Sequence, residues 1–325
     1  MQFTDILPQL WPNLIWPLIR LIFFISLGLL VASFIESLNW TSKIATLARP
    51  LIRFGNLSET AGASFSMALF SGVSANTMLS EAYEKKTIIK KELILANLFN
   101  SLPTYFLHLP TVFFITAPLI KGAAIIYVAL TFGAAIFRTV SIVVLSRFLL
   151  PAIDRSASPS HETKDTTEKK THWRKAVEKS WKRFKKRIRK IIRYTVPIYI
   201  LVFLMHRAGL FDILERGMAD YLSFLPWLTP QSMGIITLHM AAEFTAGLAV
   251  AGALLQEGSM DYREIVLALL VGNVLSSPVR AIRHQFPYYA GIFQPKMAIE
   301  LIVYSQLFRV GSLMLMGCIY FMLTL

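Results

Sequence analysis

Apolar residues along this chain come in long blocks rather than in the alternating patterns of soluble strands and helices. Blocks at 14–38, 88–117, 123–150, 194–211 and 297–323 reach or approach the ~20 residues that an α-helix needs to cross a bilayer. The first block has neither a basic stretch ahead of it nor a small-residue cleavage site behind it, so it reads as a retained span. Two other apolar runs differ in kind. One, rich in small residues, carries Gly62, Ala63, Ala68 and then Ser71 to Thr77; the other covers 234–255 and carries His239 and Glu243. The pattern predicts an all-α polytopic membrane protein.

Composition agrees. Of 325 residues, 55% are hydrophobic, and the mean hydropathy is +0.54. The single cysteine, Cys318, lies in the last apolar run, which leaves no part for disulfides. The net charge of +14 is concentrated. Residues 161–193 hold fourteen Lys/Arg against four Asp/Glu. Joined to membrane spans, such a run reads as a cytoplasmic loop obeying the positive-inside rule, not as a nucleic-acid site. Trp173, Val177, Trp181, Phe184, Ile188 and Ile191 recur every three or four positions, which predicts an interfacial helix lying on anionic lipid. Residues 156–171, rich in Ser, Thr and charge, read as a flexible linker.

The chain also resembles itself. Phe137-Arg138-Thr139-Val140-Ser141 matches Phe308-Arg309-Val310-Gly311-Ser312 at an offset of 171, and Glu92-Leu93-Ile94-Leu95-Ala96 matches Glu264-Ile265-Val266-Leu267-Ala268 at 172. Common order and near-constant offset predict two copies of one unit. The domains are then 1–150, a first membrane repeat; 151–193, the basic cytoplasmic linker; and 194–325, a second repeat. Each copy comprises a first span, a small-residue segment, a span expected to end at prolines (Pro103 and Pro110, or Pro278 and Pro287), and a last span with an arginine inside it. Lysines and arginines flank the first small-residue segment. Asp212, Glu215, Asp220, Glu257 and Asp261 dominate around the second. Both facts are met if the small-residue segments are re-entrant or broken and each copy makes about three crossings. That places the second copy upside down relative to the first, as inverted repeats.

Polar groups inside such segments are candidates for function. Ser71, Ser74 and Asn76 sit where a broken helix would expose backbone groups, and Asn76 can both donate and accept. His239 and Glu243 stand four apart, on one helical face, with Thr245 and Gly247 after them. Asn100, and Asn273 with Ser276 and Ser277, place amides and hydroxyls on the proline-containing spans. These ten residues, Gly247 apart, are the expected substrate- or ion-binding set, with Glu243 as the coupling carboxylate and Ser74 and Asn76 meeting His239, Glu243, Asn273 and Ser276 at the repeat interface. Arg280, Arg283, His284, Gln285 and Tyr288 crowd together as an expected mouth or gate. Arg138 and Arg309 are expected to pair with a buried carboxylate or a helix C-terminus. No Walker loop, dinucleotide fingerprint, zinc-protease helix or nucleophile elbow occurs in its required context, so no enzyme, cofactor or metal is expected.

The runs Ser71-Gly72-Val73-Ser74-Ala75-Asn76, Glu243-Phe244-Thr245-Ala246-Gly247-Leu248, Gly272-Asn273-Val274-Leu275-Ser276-Ser277-Pro278 with Arg280, and Arg283-His284-Gln285-Phe286-Pro287-Tyr288-Tyr289 resemble the nucleoside-recognition (Gate) domain membrane proteins. That family is related to the gate regions of ferrous-iron transporters, to spore maturation membrane proteins and, distantly, to concentrative nucleoside transporters. The resemblance implies a duplicated, inverted helical core and a pathway for a polar solute or cation. It departs from the iron transporters in having no GTPase domain and no cysteine-bearing gate. The resulting expectation is a transporter or permease of the cytoplasmic (inner) membrane for a small polar solute, nucleoside-like or ionic, coupled to protons or a cation. Its expected partners are the lipid bilayer, the solute or cation, anionic lipid at the basic linker, and a second copy of the chain as a homo-oligomer. The alternative is a non-transporting scaffold or sensor that docks a partner or anionic lipid through the basic loop.

Overall fold

The computed structural model describes residues 48–152, 229–241 and 244–325 continuously, with scattered positions within 10–26 and 178–213. Most of the expected spans at 14–38 and 194–211, and most of the linker, therefore lie outside the described residues. Within the expected interfacial helix, the described positions Trp181, Phe184, Lys185 and Ile188 are helical. The Trp181 and Phe184 rings stack 5.2 Å apart, with the Lys185 ammonium 5.6 Å from the Trp181 ring.

Among the described residues beyond position 48, every regular element is a helix: α1 (Arg49–Phe54), α2 (Glu59–Ala68), α3 (Gly72–Glu84), α4 (Lys90–Phe99), α5 (Ser101–Ile120), α6 (Gly122–Leu149), α7 (Pro230–Ala241), α8 (Phe244–Gln256), α9 (Tyr262–Arg280), a π-turn (Ala281–Gln285), α10 (Phe286–Phe293) and α11 (Pro295–Leu323). Four stretches are long and apolar enough to cross a membrane: Lys90–Ile120, Gly122–Leu149, Tyr262–Phe293 and Pro295–Leu323. They carry large apolar side chains outward, such as Phe114 at 73% exposure, Phe148 at 79% and Leu307 at 63%, which water would penalise and lipid would not. This is a membrane protein by length, composition and surface.

The small-residue segments hold no single helix long enough to span. Each is a pair of short helices, α2 with α3 and α7 with α8, of 10 to 13 residues. At 1.5 Å per residue each covers roughly 15–20 Å, well short of a ~30 Å hydrocarbon core. Side-chain caps start them. Ser58 accepts from the Ala61 amide and Ser71 from the Ser74 amide, while Thr229 accepts from the Ser232 amide. Small residues let the paired helices approach. Ser64 Oγ donates to the Ala75 carbonyl across the first pair, and at Gly247 a Cβ would stand 2.8 Å from the Ile235 carbonyl across the second.

The order of elements recurs. Helices α2, α3, α4 and α6 begin 171, 172, 172 and 173 residues before α7, α8, α9 and α11. The turns recur too. Lys86 and Gly258 hold positive φ after each hairpin, and Lys121 and Gln294 hold it as one-residue links between consecutive spans.

The prolines do not end their helices, contrary to the expectation from sequence. Pro110 and Pro118 lie inside α5, Pro278 lies inside α9, and both spans continue past them. A helical proline lacks the N–H that would reach the carbonyl four residues back. For Pro103 that carbonyl is Phe99, at the end of α4, where the chain breaks at Asn100. For Pro287 it is Arg283, inside the π-turn. The irregular backbone thus sits where the missing bond would have been, and the helix resumes.

By internal contacts the chain forms two compact units. One comprises Met1–Leu107, Thr139–Pro197 and Tyr288–Leu301; the other comprises His108–Arg138, Ile198–Pro287 and Ile302–Leu325. Each joins the hairpin of one copy to a stretch of the other copy's spans. In the first unit Ser80 Oγ on α3 donates to the Ile292 carbonyl on α10. In the second, the corresponding Gly252 on α8 lies against the corresponding Leu119 carbonyl on α5, which a Cβ would approach to 3.0 Å. The first hairpin packs Ala63, Met67, Ala68, Ala75 and Met78. The second unit's core gathers Ile235, Ile236, Leu248, Ile265 and Leu269 around Ile120 and Tyr127.

A hairpin that turns back leaves both its ends on one side. With Cys318→Ser as background, Arg53→Cys and Lys85→Cys are expected to react with a membrane-impermeant maleimide from the same face of the membrane. Labelling from opposite faces would mean that α2 and α3 together cross.

Candidate functional site

Polar side chains are buried in two clusters, one in each unit. In the first, Asn76 on α3 donates from Nδ2 to the Tyr288 hydroxyl at 2.8 Å and accepts at Oδ1 from Asn97 Nδ2 at 2.8 Å. Asn97 also lies 3.4 Å from the Tyr289 hydroxyl. One layer away, Asn100 Nδ2 donates to Ser64 Oγ at 2.7 Å. The buried Asn100 Oδ1 has no hydrogen-bond partner among the described residues. Every group in this cluster is neutral, and nearly every one is satisfied.

The second cluster brings arginines together. Its hub is Asn273 on α9, whose Nδ2 donates to the Tyr127 hydroxyl at 3.0 Å. Its Oδ1 accepts from Arg280 at 2.7 Å and from Arg309 at 3.2 Å. Two guanidinium nitrogens sharing one oxygen lie no more than 5.9 Å apart. At an effective dielectric of ~20, two unit charges at that spacing repel by roughly 3 kcal/mol. Arg138, on α6, donates to Ser312 Oγ at 3.2 Å, and Ser312 Oγ bonds back to the Arg309 carbonyl. Three arginines are thus tied into one network by an amide and a hydroxyl.

His239 stands behind this hub and is fully buried. Neither ring nitrogen has a hydrogen-bond partner among the described residues, and the ring packs edge-on against Phe244, centroids 5.3 Å apart. Two glycines make room for it. A Cβ on Gly272 would meet Nδ1 at 2.6 Å, and one on Gly247 would meet His239 Cβ at 2.8 Å. The first copy solves the same place differently. By the repeat offset, His239 corresponds to Ala68 and Gly272 to Asn100, so the large and small partners have changed helices.

Three proteins of Methanocaldococcus jannaschii, each named only as an uncharacterized protein, are similar to this chain almost from end to end. MJ0871 is 24% identical over 88% of this chain and 87% of its own length. MJ1556 is 28% identical over 87% and 88%, and MJ0880 is 25% identical over 89% and 90%. No protein-family model matches the chain, and no solved structure matches it.

The residues expected from sequence divide between the clusters. Ser71, Ser74, Asn76, Asn100 and Tyr288 belong to the first unit, and His239, Asn273, Ser276, Ser277 and Arg280 to the second. Glu243 lies outside the described residues. Ser71 serves as the cap of α3, accepting from Ser74 at both amide and hydroxyl. Ser276 and Ser277 turn back onto the Asn273 carbonyl, at 3.4 and 2.7 Å, so they satisfy their own helix. Thr245 is exposed on α8. The residues expected as a mouth or gate run from α9 through the π-turn into α10. Arg280 bonds Asn273, Gln285 accepts from Gln306 at 3.0 Å, Tyr288 accepts from Asn76, and Arg283 and His284 sit on the π-turn. Arg138 and Arg309 also differ from expectation. Among the described residues their partners are Ser312 and Asn273, neither a carboxylate nor a helix end, because both lie mid-helix where backbone carbonyls are already used. Sequence reasoning passed over Tyr127, which looked like any other aromatic in a span, and left Asn97, visible beside Asn100 as an amide in an apolar run, out of the binding set.

Gly272→Ala is expected to cost about 1–3 kcal/mol of stability by overpacking, read as a fall in unfolding temperature in detergent. Much of that loss should disappear in a His239→Ala background, a coupling that a double-mutant cycle measures. Gly247→Ala should not be rescued in this way, because its Cβ also meets the Ile235 carbonyl.

Proposed function

We propose that this protein is a multi-pass permease of the cytoplasmic membrane for a small polar solute, built from two inverted copies of one unit. The observation that supports it most is that each unit buries a polar cluster where a hairpin of short, small-residue helices meets a long span. Amides, hydroxyls and guanidiniums are costly inside a bilayer and collect where a solute or ion is handled. Broken or re-entrant helices supply backbone groups at such depth, and transporters use them for that purpose.

The inverted arrangement rests on parity and charge. Each copy has two observed spans, an apolar run ahead of its hairpin and a hairpin too short to cross. Three crossings per copy reverse the second copy. The basic flanks of the first hairpin and the acidic flanks of the second then fall on opposite sides. The resemblance to the Gate-domain proteins points the same way. Glu243, in the link between α7 and α8, is the residue assigned to coupling.

Reconstituted in proteoliposomes and screened by electrophysiology with nucleosides, organic anions and divalent cations, the protein is expected to pass one of these classes. Glu243→Gln should abolish that flux without changing insertion or unfolding temperature, and deletion of 156–193 should leave most of it. Lys85→Cys and Glu257→Cys should label from opposite faces of the membrane. Normal flux in Glu243→Gln removes the coupling role, and labelling of both cysteines from one face removes the inversion.

A further inference from the structure

Arg138 and Arg309 occupy corresponding places in the two copies, each within Phe-Arg-x-x-Ser near the middle of a membrane-spanning helix. A guanidinium carries a fixed charge and five N–H donors. Arg138 gives a hydrogen bond to Ser312 Oγ and Arg309 gives one to Asn273 Oδ1; both acceptors are neutral. Among the described residues no carboxylate pairs with either. The two charges lie within each other's field, and Arg280 adds a third against Arg309. An arginine that served only to hold helices together would be expected to face a carboxylate or a helix C-terminus, and neither of these does. Both residues are partly buried, and Ser312 and Asn273 each take up one guanidinium N–H, which leaves the others for a ligand.

We propose that Arg138 and Arg309, positioned by Ser312 and Asn273, bind a doubly charged oxyanion of the phosphate class. Two guanidiniums match the charge of such an ion, and their planar forks match its oxygens. Asn273 suits the positioning part, since its amide oxygen holds a guanidinium without cancelling its charge. The site stands on these side chains. Only its identification with the anionic group of a transported solute rests on the permease reading.

Inorganic phosphate is the probe. Full-length protein in zwitterionic detergent is titrated with sodium phosphate against sodium chloride of equal ionic strength, followed by thermal unfolding and calorimetry. A saturable, phosphate-specific rise in unfolding temperature is expected. Arg138→Gln and Arg309→Gln should each weaken binding by about tenfold or more, the loss of a charge-assisted contact. Arg147→Gln, whose guanidinium bonds the Phe54 carbonyl instead, should leave it unchanged.

The titration is repeated in nanodiscs of phosphatidylcholine, with and without phosphatidylglycerol. A phosphate response that persists with phosphatidylglycerol present assigns the site to a soluble oxyanion. Stabilisation by phosphatidylglycerol that removes the phosphate response, and that the two Arg→Gln variants abolish, assigns it to a lipid headgroup. Absence of any phosphate- or phosphatidylglycerol-specific shift in the wild-type protein, which needs no variant to fold, overturns the proposal. A response unchanged in both Arg→Gln variants overturns it equally. Phosphate binding without flux of any solute would retire the permease reading and keep the site; flux without binding would do the reverse.

Discussion

A fixed charge placed inside a membrane-spanning helix must be met by its neighbours, because lipid cannot solvate it and a guanidinium does not give up its proton readily. In this protein much of that task falls on one amide. Asn273 turns its oxygen toward Arg280 and Arg309 and its nitrogen toward Tyr127, an arrangement in which every contact pairs a donor with an acceptor. An aspartate there would neutralise one charge, and a leucine would remove the acceptor that the two guanidiniums share. The amide does neither. It fixes the direction of two cations and leaves their charge in place.

That hub requires helices to pass close together, and small residues provide the distance. Gly247 and Gly272 admit His239, Gly252 admits the Leu119 carbonyl, and Ser64 reaches the Ala75 carbonyl across the first hairpin. In membranes, where apolar surface gains little by leaving lipid, close van der Waals packing and interhelical hydrogen bonds carry association. The hairpins follow from this. Their helices are too short to span and too apolar for water, and they hold their place through contacts with the long spans.

Much of this could be read from the residues alone. Long apolar blocks located three of the four described spans to within a few residues, since block length is set by bilayer thickness, whereas Tyr262–Phe293, interrupted by Asn273, Ser276, Ser277, Arg280 and Arg283, did not stand out as a block. The repeat was legible in Phe-Arg-x-x-Ser and in Glu92 and Glu264, and the Ser58 and Thr229 caps and the positive-φ turns recur at nearly the same offset. Three-dimensional pairing was not legible. Nothing in the sequence around Arg138 names Ser312, 174 residues away, as its partner. Prolines read as helix ends because the rule is local; at Pro103 and Pro287 a break or π-turn four residues upstream absorbs the missing bond, whereas the helices run on through Pro110 and Pro278. Crowding in sequence suggested a gate from Arg280 to Tyr288, but not that this stretch passes through a π-turn between α9 and α10.

The divergence of the two copies is informative about where chemistry resides. In the first, amides and tyrosine hydroxyls close on one another, so Asn76, Asn97 and Tyr288 leave little to offer a ligand beyond the orphaned Asn100 oxygen. In the second, the amide corresponding to Asn100 has become Gly272, and His239 fills its place, while arginines from α6, α9 and α11 gather near Asn273. A closed neutral network specifies packing. In the second, Arg138 and Arg309 face only neutral acceptors among the described residues, an arrangement that costs stability and that the proposed oxyanion site would account for.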